Sequence, residues 1–439
     1  MPVAYRHYEK NRKSRHSRAT PRPTKRAYTV LRQLVQWIPP GLADSLAKEA
    51  KADIRSFSAF SHVLALLHGQ ITKAGSLNEI CDAAKLHESE LNRIRGATAP
   101  KRNTFSNANR TRDPKIAENL YWEVFKHLQE VCPGFTQHGK HKRFLFRMKR
   151  DIFAIDSTTL KLSLSCIDWA RHRRKKAAAK THMRLNVGTM LPSFAIVEDA
   201  AHHDSKRADA LCAGLKDGDV LLADRAYLDL AFLNGLQQSG VFFVLRDKDN
   251  MVFDVVESRR HEDPSIIADE TVRMSRSNSG EKYPGLLRRV TAVVEVDGKD
   301  VVMSFITNNF AWSPRTIAEL YRARWAIELF FKELKQTLQL NDFVGYNENA
   351  VKWQVWIGLL AHLLIRFQKH ISKWGLSFSR LAGTIRSAIW MKVDLAVTLR
   401  IYGTAGGPKR PVVVEKQLYF RGFEPYSSRP VGQHMSQIT

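Results

Sequence analysis

The stretch Leu320-YRARWAIELFFKEL-Lys335 decides the reading of this 439-residue chain. Ser313 followed by Pro314 reads as a helix N-cap with proline at the first helical position. No breaker follows until about Asn341, so one helix is predicted to run past Lys335. At about 100° per residue, Tyr321, Arg324, Glu328 and Lys335 fall near about 0°, −60°, −20° and −40° around its axis. A hydroxyl, a guanidinium, a carboxylate and an ammonium thus share one narrow stripe. The carboxylate suits a hard cation and the three donors suit phosphate oxygens. An ordinary amphipathic helix with a solvated polar face is the competing reading. Ile327, Phe330, Phe331 and Leu334 are expected on the opposite, packed side.

Two further carboxylates stand in strand-like settings. Asp224 closes Gly218-DVLLA-Asp224, an apolar run with the length of a buried strand, ahead of the helical stretch from Leu228. It therefore falls at a strand's C-terminal end, where open α/β sheets carry their sites. Asp156 follows the apolar Ile152-Phe-Ala-Ile155 and has to be paired, metal-bound or at an exposed strand end. Taken singly, each Asp reads equally well as a strand-end cap or turn.

Together, Asp156 on a first strand, Asp224 in an Asp-Arg-x-Tyr context and Glu328 within Tyr-x2-Arg-x3-Glu-x6-Lys resemble the DDE transposases of bacterial insertion sequences, in particular the IS-four family. Supporting motifs are Ala154-Ile-Asp156-Ser-Thr, Lys180-Thr-His182, His203-Asp204 and Ala223-Asp-Arg-Ala-Tyr227. The resemblance spans about Asp151 to Leu340, and Tyr28 to about Cys132 is similar to the N-terminal domain of one branch. It implies an α/β fold with a ribonuclease H-like catalytic core, a mixed sheet flanked by helices. It further implies a β-rich insertion, an α-helical N-terminal domain and C-terminal helices.

Composition agrees independently. Lys plus Arg number 69 against 43 Asp plus Glu, a formal charge of +26. That excess points to a polyanionic partner, usually nucleic acid, with basic ribosomal or membrane-surface proteins as the competing class. Cys81, Cys132, Cys166 and Cys212 show neither CxxC nor zinc spacing, which suits a reducing cytoplasm. The longest apolar run, Val355-WIGLLAHLLIR-Phe367, reads as too short to span a bilayer and carries His362 and Arg366. The basic N-terminus lacks the apolar segment of a secretory signal. A cytoplasmic, nucleoid-associated bacterial protein without membrane contact is expected.

Residues 1–27 read as a basic flexible arm and 28–143 as a helical domain that binds DNA ends. Residues 144–246 and 308–372 form the two parts of the catalytic core around a β-rich insertion, 247–307, and 373–439 hold C-terminal helices and a tail. In the helical domain, Lys101, Arg102, Asn103, Asn109, Arg110 and Arg112 are the candidate DNA contacts. A purely structural helix pair is the alternative. Val290-TAVVE-Val296, Asp297-Gly298 and Val301-VMSFI-Thr307 give a hairpin signal in the insertion, which could equally be a plain sheet extension.

The resemblance implies two Mg²⁺ ions, with Mn²⁺ as a substitute. Asp156 would bridge them, and Asp224 and Glu328 would hold one each. Arg324, Lys335 and Tyr321 would bind phosphates, as would Arg225 and Tyr227 of the Asp224 motif. Trp325 would stack on a base or pack in the core. Lys180, His182, His202 and His203 would line the site or serve structure. The partners are double-stranded DNA, both terminal inverted repeats and target, and a second copy of the chain or a higher oligomer on DNA. A nuclease that cuts without joining, an inactive DNA-binding derivative and a basic structural binder are the rival functions.

Overall fold

The computed structural model describes residues 28–137, 148, 150–162, 171–172, 176–199, 204–275, 277–296, 298–340 and 343–403. The basic arm, the tail beyond Gly403, Cys166, His202 and His203 lie outside the described residues.

One sheet organises the chain. Its strands are β1 (Ile152–Leu162), β2 (Arg171–His172), β3 (Lys176–Asn186), β4 (Leu191–Asp199), β5 (Val220–Ala223), β6 (Phe242–Arg246), β7 (Phe253–Ser258), β8 (Ile266–Met274), β9 (Leu287–Val296) and β10 (Lys299–Thr307). β1 pairs antiparallel with β3 and parallel with β5, β5 pairs parallel with β6, and β3 carries β4 antiparallel on its far side. Strands β4-β3-β1-β5-β6 thus lie side by side in the ribonuclease H-like arrangement. The parallel strands are buried apolar runs, as strands covered on both faces must be. The β-rich insertion continues this same sheet: β10 pairs with β6, followed outward by β9, β8 and β7. The sheet extension weighed for this stretch is what forms. Gly298, at φ 76°, takes the left-handed position that the tight β9–β10 connection needs.

Helices cover both faces. The N-terminal set is α1 (Val30–Val35), α2 (Leu42–Glu49), α3 (Ala59–Thr72), α4 (Leu77–Leu86), α5 (Glu88–Asn92), α6 (Arg102–Thr111) and α7 (Lys115–Val131). Within the sheet region lie α8 (Ala208–Cys212), α9 (Leu230–Gln238) and α10 (Ser277–Lys282), and then come α11 (Pro314–Ala323), α12 (Trp325–Lys332), α13 (Glu348–Ile371), α14 (Phe378–Ser387) and α15 (Leu395–Gly403). Side-chain N-caps start several of them: Ser58 on α3, Ser76 on α4, Ser313 on α11, Asn347 on α13 and Ser377 on α14.

Strand alternation sorts side chains between two cores. Ile152, Ala154, Val220 and Leu222 face the larger core, with α11, α12 and the helical body, while Ile155, Leu221 and Ala223 face a smaller one against α8 and α9.

The N- and C-terminal helices are not separate units. Helix α13 runs through their shared centre: the Trp353 ring packs at a tilt against His62, centroids 4.4 Å apart, and donates from Nε1 to the Arg112 carbonyl at 3.0 Å. Gln33 of α1 donates to the Val393 carbonyl at 2.6 Å. Residue 143 therefore divides the sequence but not the core. At 24 residues α13 is long and apolar enough to cross a bilayer, so the expectation of a short run is corrected. It is a core helix, since 89% of its most apolar window is buried inside the protein.

Candidate active site

The larger-core face of the sheet brings the three predicted carboxylates to one place. β1 and β5 pair in parallel through Ile155 and Ala223, so Asp156 and Asp224 come one step further along neighbouring strands. By alternation both point to the same face as Ala154 and Leu222. Asp224 ends β5 and caps the short 3₁₀ turn Arg225–Tyr227, accepting from the Arg225 N–H at 2.8 Å. Asp156 accepts from the Ser157 N–H at 2.8 Å.

Helices α11 and α12 supply the rest, with a correction to the predicted helix. The run does not continue as one α-helix. It tightens at Arg324, whose N–H reaches the Tyr321 carbonyl, and it widens into a π-helical turn over Glu333–Thr337. Nor does the whole stripe face solvent: Tyr321 and Arg324 are only 3% and 6% exposed. The ring of Tyr321 packs on Phe305 at 4.7 Å, which carries its hydroxyl to Asp224 Oδ1 at 3.3 Å. Arg324 places Nη2 2.7 Å from Glu328 Oε1 and Nη1 3.7 Å from Asp156 Oδ2. Glu328 stays open, with 54% of its side chain exposed. Lys335 is half-buried and donates to the Thr159 carbonyl of β1 at 2.9 Å. Ile327, Phe330, Phe331 and Leu334 pack inward as predicted.

Burial pushes the Asp156 carboxyl up to about 6. The Ser157 N–H and Arg324 oppose that rise, while Glu328 and Asp224 add to it. Burial likewise pushes the Tyr321 hydroxyl up to about 12. A half-buried carboxylate among two others is short of positive charge. The donor set, all hard carboxylate oxygens, suits a divalent cation such as Mg²⁺. Among the described residues, however, no three ligating side chains are gathered closely enough to hold an ion, and Arg324 bridges Asp156 and Glu328. The residues fit the metal in kind, provided that Arg324 moves aside.

Several other candidates serve structure. Tyr227 is fully buried in the smaller core, which corrects its assignment to phosphate binding. His182 is fully buried on β3, with Nε2 3.1 Å from Glu198 Oε1, and Arg207 forms a two-pronged pair with the same carboxylate. Its place opposite Ser157, one residue along from Asp156, puts it on the other face of the sheet. Asn109 is buried and bonded to His62 at 2.7 Å. Arg112 is buried, donating to the carbonyls of Ser58 and Phe57. These last two are corrected from DNA contacts to supports of α3. Lys101, Arg102, Asn103 and Arg110 are exposed on or beside α6. Arg225 is half-exposed and 3.6 Å from Asp249, Lys180 is partly exposed on β3, and Trp325 packs partly buried against the larger core.

Sequence reading missed one cluster. Glu333, in the π-helical turn, accepts from Arg366 at 2.5 Å and pairs with His362 at 2.9 Å, both from α13. Glu333 lies 29 and 33 residues from His362 and Arg366, and only the fold brings them together.

A family model described as a transposase DDE domain matches residues 147–364, and one described as a domain of unknown function, DUF4372, matches residues 26–94. The chain is similar to y4zB of Sinorhizobium fredii, named as a transposase, with 28% identity over 61% of this chain and 74% of that one. It is similar to a protein of Geobacillus stearothermophilus named as the transposase for insertion sequence element IS5377, with 26% identity over 58% of this chain and 65% of that one. Transposase InsG for insertion sequence element IS4, from Escherichia coli K12, is 26% identical over 38% of each chain.

Proposed function

We propose that this chain, a DDE transposase of the insertion-sequence type, binds the terminal inverted repeats of its element as double-stranded DNA, cleaves them and joins the freed 3′-OH ends to target DNA. Asp156, Asp224 and Glu328 would hold the catalytic Mg²⁺ ions. The observation that carries this reading is the register of β1 and β5, which sets Asp156 and Asp224 side by side on the face from which Arg324 reaches Glu328.

Bound there, a pair of divalent ions would activate the attacking oxygen and neutralise charge on the phosphate under attack. The chain's own residues orient the DNA. Arg324 is held by Glu328 and Asp156. Released from them, its planar fork suits a phosphate next to the scissile bond. Tyr321, whose hydroxyl burial keeps protonated, donates a hydrogen bond and takes no proton. Lys335 adds a fixed positive charge at the rim. Hydrolysis of the end phosphodiester leaves a 3′-OH and a 5′-phosphate. That 3′-OH can then displace a second 3′-oxygen, forming one phosphodiester for each one broken. Synapsis of two ends requires at least two copies of the chain on DNA.

The test is a strand-transfer assay on a plasmid carrying the gene with its flanking DNA, in Mg²⁺ and in EDTA. Wild-type protein should give joined products only with Mg²⁺. Asp156→Asn, Asp224→Asn and Glu328→Gln should each abolish cutting and joining while duplex binding persists. Substantial Mg²⁺-dependent cleavage by Asp224→Asn sinks the assignment. Cutting without joining by the wild type makes the protein a nuclease.

A further inference from the structure

Some lysines of this chain have a carboxylate in reach. Lys115 is 2.7 Å from Glu118, Lys352 2.6 Å from Glu348 and Lys392 2.8 Å from Glu90. A different group gathers where α12 and the π-helical turn meet the helical body. Lys332 is exposed one turn beyond Glu328. Lys335 sits on the Thr159 carbonyl, close enough to Lys161 of β1 that, after burial, Lys161 lowers its pKa. Lys73, at the C-cap of α3, donates to the Gln336 carbonyl at 2.8 Å. Burial and then Arg386 lower the pKa of Lys73 in turn. Arg386 fastens this corner, donating to the carbonyls of Ile71 at 2.7 Å and Thr337 at 2.8 Å. Among the described residues none of Lys73, Lys161, Lys332 and Lys335 forms an ion pair.

We propose that Lys332, Lys161 and Lys73 extend the phosphate-binding surface of Lys335 away from the three carboxylates, and that this seam grips the backbone of the duplex flanking the scissile bond. The inference rests on the transposase reading and deepens it. Like charges brought together without an ion-paired counter-charge repel one another, and the carbonyls that accept from Lys335 and Lys73 offset only part of that repulsion. A row of phosphates would offset the rest. The row is also the right length. From Glu328 to Gln336 is eight helical residues, about 12 Å, and Lys73 lies at the far end. At about 3.4 Å of helix axis per nucleotide, that spans roughly three to four phosphates of one strand. The seam joins parts of one core that are distant in sequence: Lys161 lies on β1, Lys332 on α12 and Lys73 at the end of α3. A duplex lying in it runs from the carboxylates toward the N-terminal helices.

The experiment uses the full chain and a fluorescein-labelled 30-base-pair duplex of random sequence, titrated at several NaCl concentrations. Each phosphate contact contributes about 0.9 to the slope of log affinity against log salt. The triple variant Lys73→Gln, Lys161→Gln, Lys332→Gln should lose about 2 to 3 from that slope. A control with the same change of charge, Lys48→Gln, Lys115→Gln, Lys352→Gln, should lose less than about 1. Single seam variants, each losing about one contact, serve if the triple melts early. Equal slopes for the two triples overturn the seam and leave the transposase reading standing. No duplex binding by the wild type at low salt overturns both.

Discussion

Arg324 donates from Nη2 to Oε1 of Glu328 at 2.7 Å, one helical turn away. Its other nitrogen lies 3.7 Å from Asp156. One cation thus stabilises two of the carboxylates proposed to hold metal, and it competes with any ion that would do so. Removing it should expose that competition. Arg324→Gln is expected to bind Mn²⁺ about three- to ten-fold more tightly by calorimetry, on the order of 1 kcal/mol, even as cleavage falls. Weaker Mn²⁺ binding by Arg324→Gln would mean that the guanidinium orients the carboxylates and does not compete for them.

Lys335 and Phe331 are four residues apart and should part company on substitution. Lys335 bonds to one carbonyl at the protein rim, so Lys335→Ala should shift stability by less than about 0.5–1 kcal/mol. Its loss should instead appear as slower cleavage and joining. Phe331 is 6% exposed within the larger core, and Phe331→Ala should destabilise by roughly 3–5 kcal/mol. Thermal melts and single-turnover cleavage on both variants decide the matter. A Lys335→Ala protein that melts early or keeps full activity makes the residue scaffold.

Glu333 is the acidic partner of both His362 and Arg366, and it sits in the π-helical turn from which Lys335 projects. Glu333→Ala strands the Arg366 charge in a largely buried position, a change that costs about 3–5 kcal/mol. The double variant Glu333→Ala, Arg366→Ala should lose clearly less than the sum of the two single variants in denaturant melts. Additive losses would show that the three residues merely pack side by side.

The sequence made the carboxylate-bearing face legible because its signals are local. An apolar strand ending in Asp224, a second strand carrying Asp156 and a capped helix with Glu328 each announce themselves within about ten residues. What remained hidden depends on partners distant in sequence. Asn109 and Arg112 read as basic and polar surface, yet they turn inward because His62 and the carbonyls of Phe57 and Ser58 lie 47 to 55 residues away. Helical projection predicted which residues share a stripe but not which way it faces. The ring of Tyr321 on Phe305 fixes that, and Phe305 belongs to the insertion. The union of the terminal helices was equally illegible, since Gln33 meets Val393 across 360 residues.

Buried histidines in that helical body give the last prediction its sign. His62 and His362 are buried, and burial lowers their pKa values to about 3 and about 4. Asn109 and Glu333 oppose these shifts only in part. In the unfolded chain both would titrate near 6.5. Between pH 6.5 and about 4, then, the unfolded state binds more protons than the folded one, and stability must rise with pH across that window. Equivalently, it is complete above about 6.5 and drains as the solution is acidified, by up to roughly 1.4 kcal/mol per pH unit for each histidine. Glu333, held below its ordinary value by His362 and Arg366 against the pull of burial, adds a further loss only at still lower pH. His68, also buried with its pKa lowered to about 4, adds to this loss, while the Asp156 carboxyl, raised by burial to about 6, opposes it between about pH 6 and 4. Three imidazoles against one carboxyl leave denaturant midpoints falling from pH 7 to pH 4.5, and His62→Gln should flatten the fall. A midpoint independent of pH over this range would mean that the imidazoles can take up protons without disturbing the core around α13.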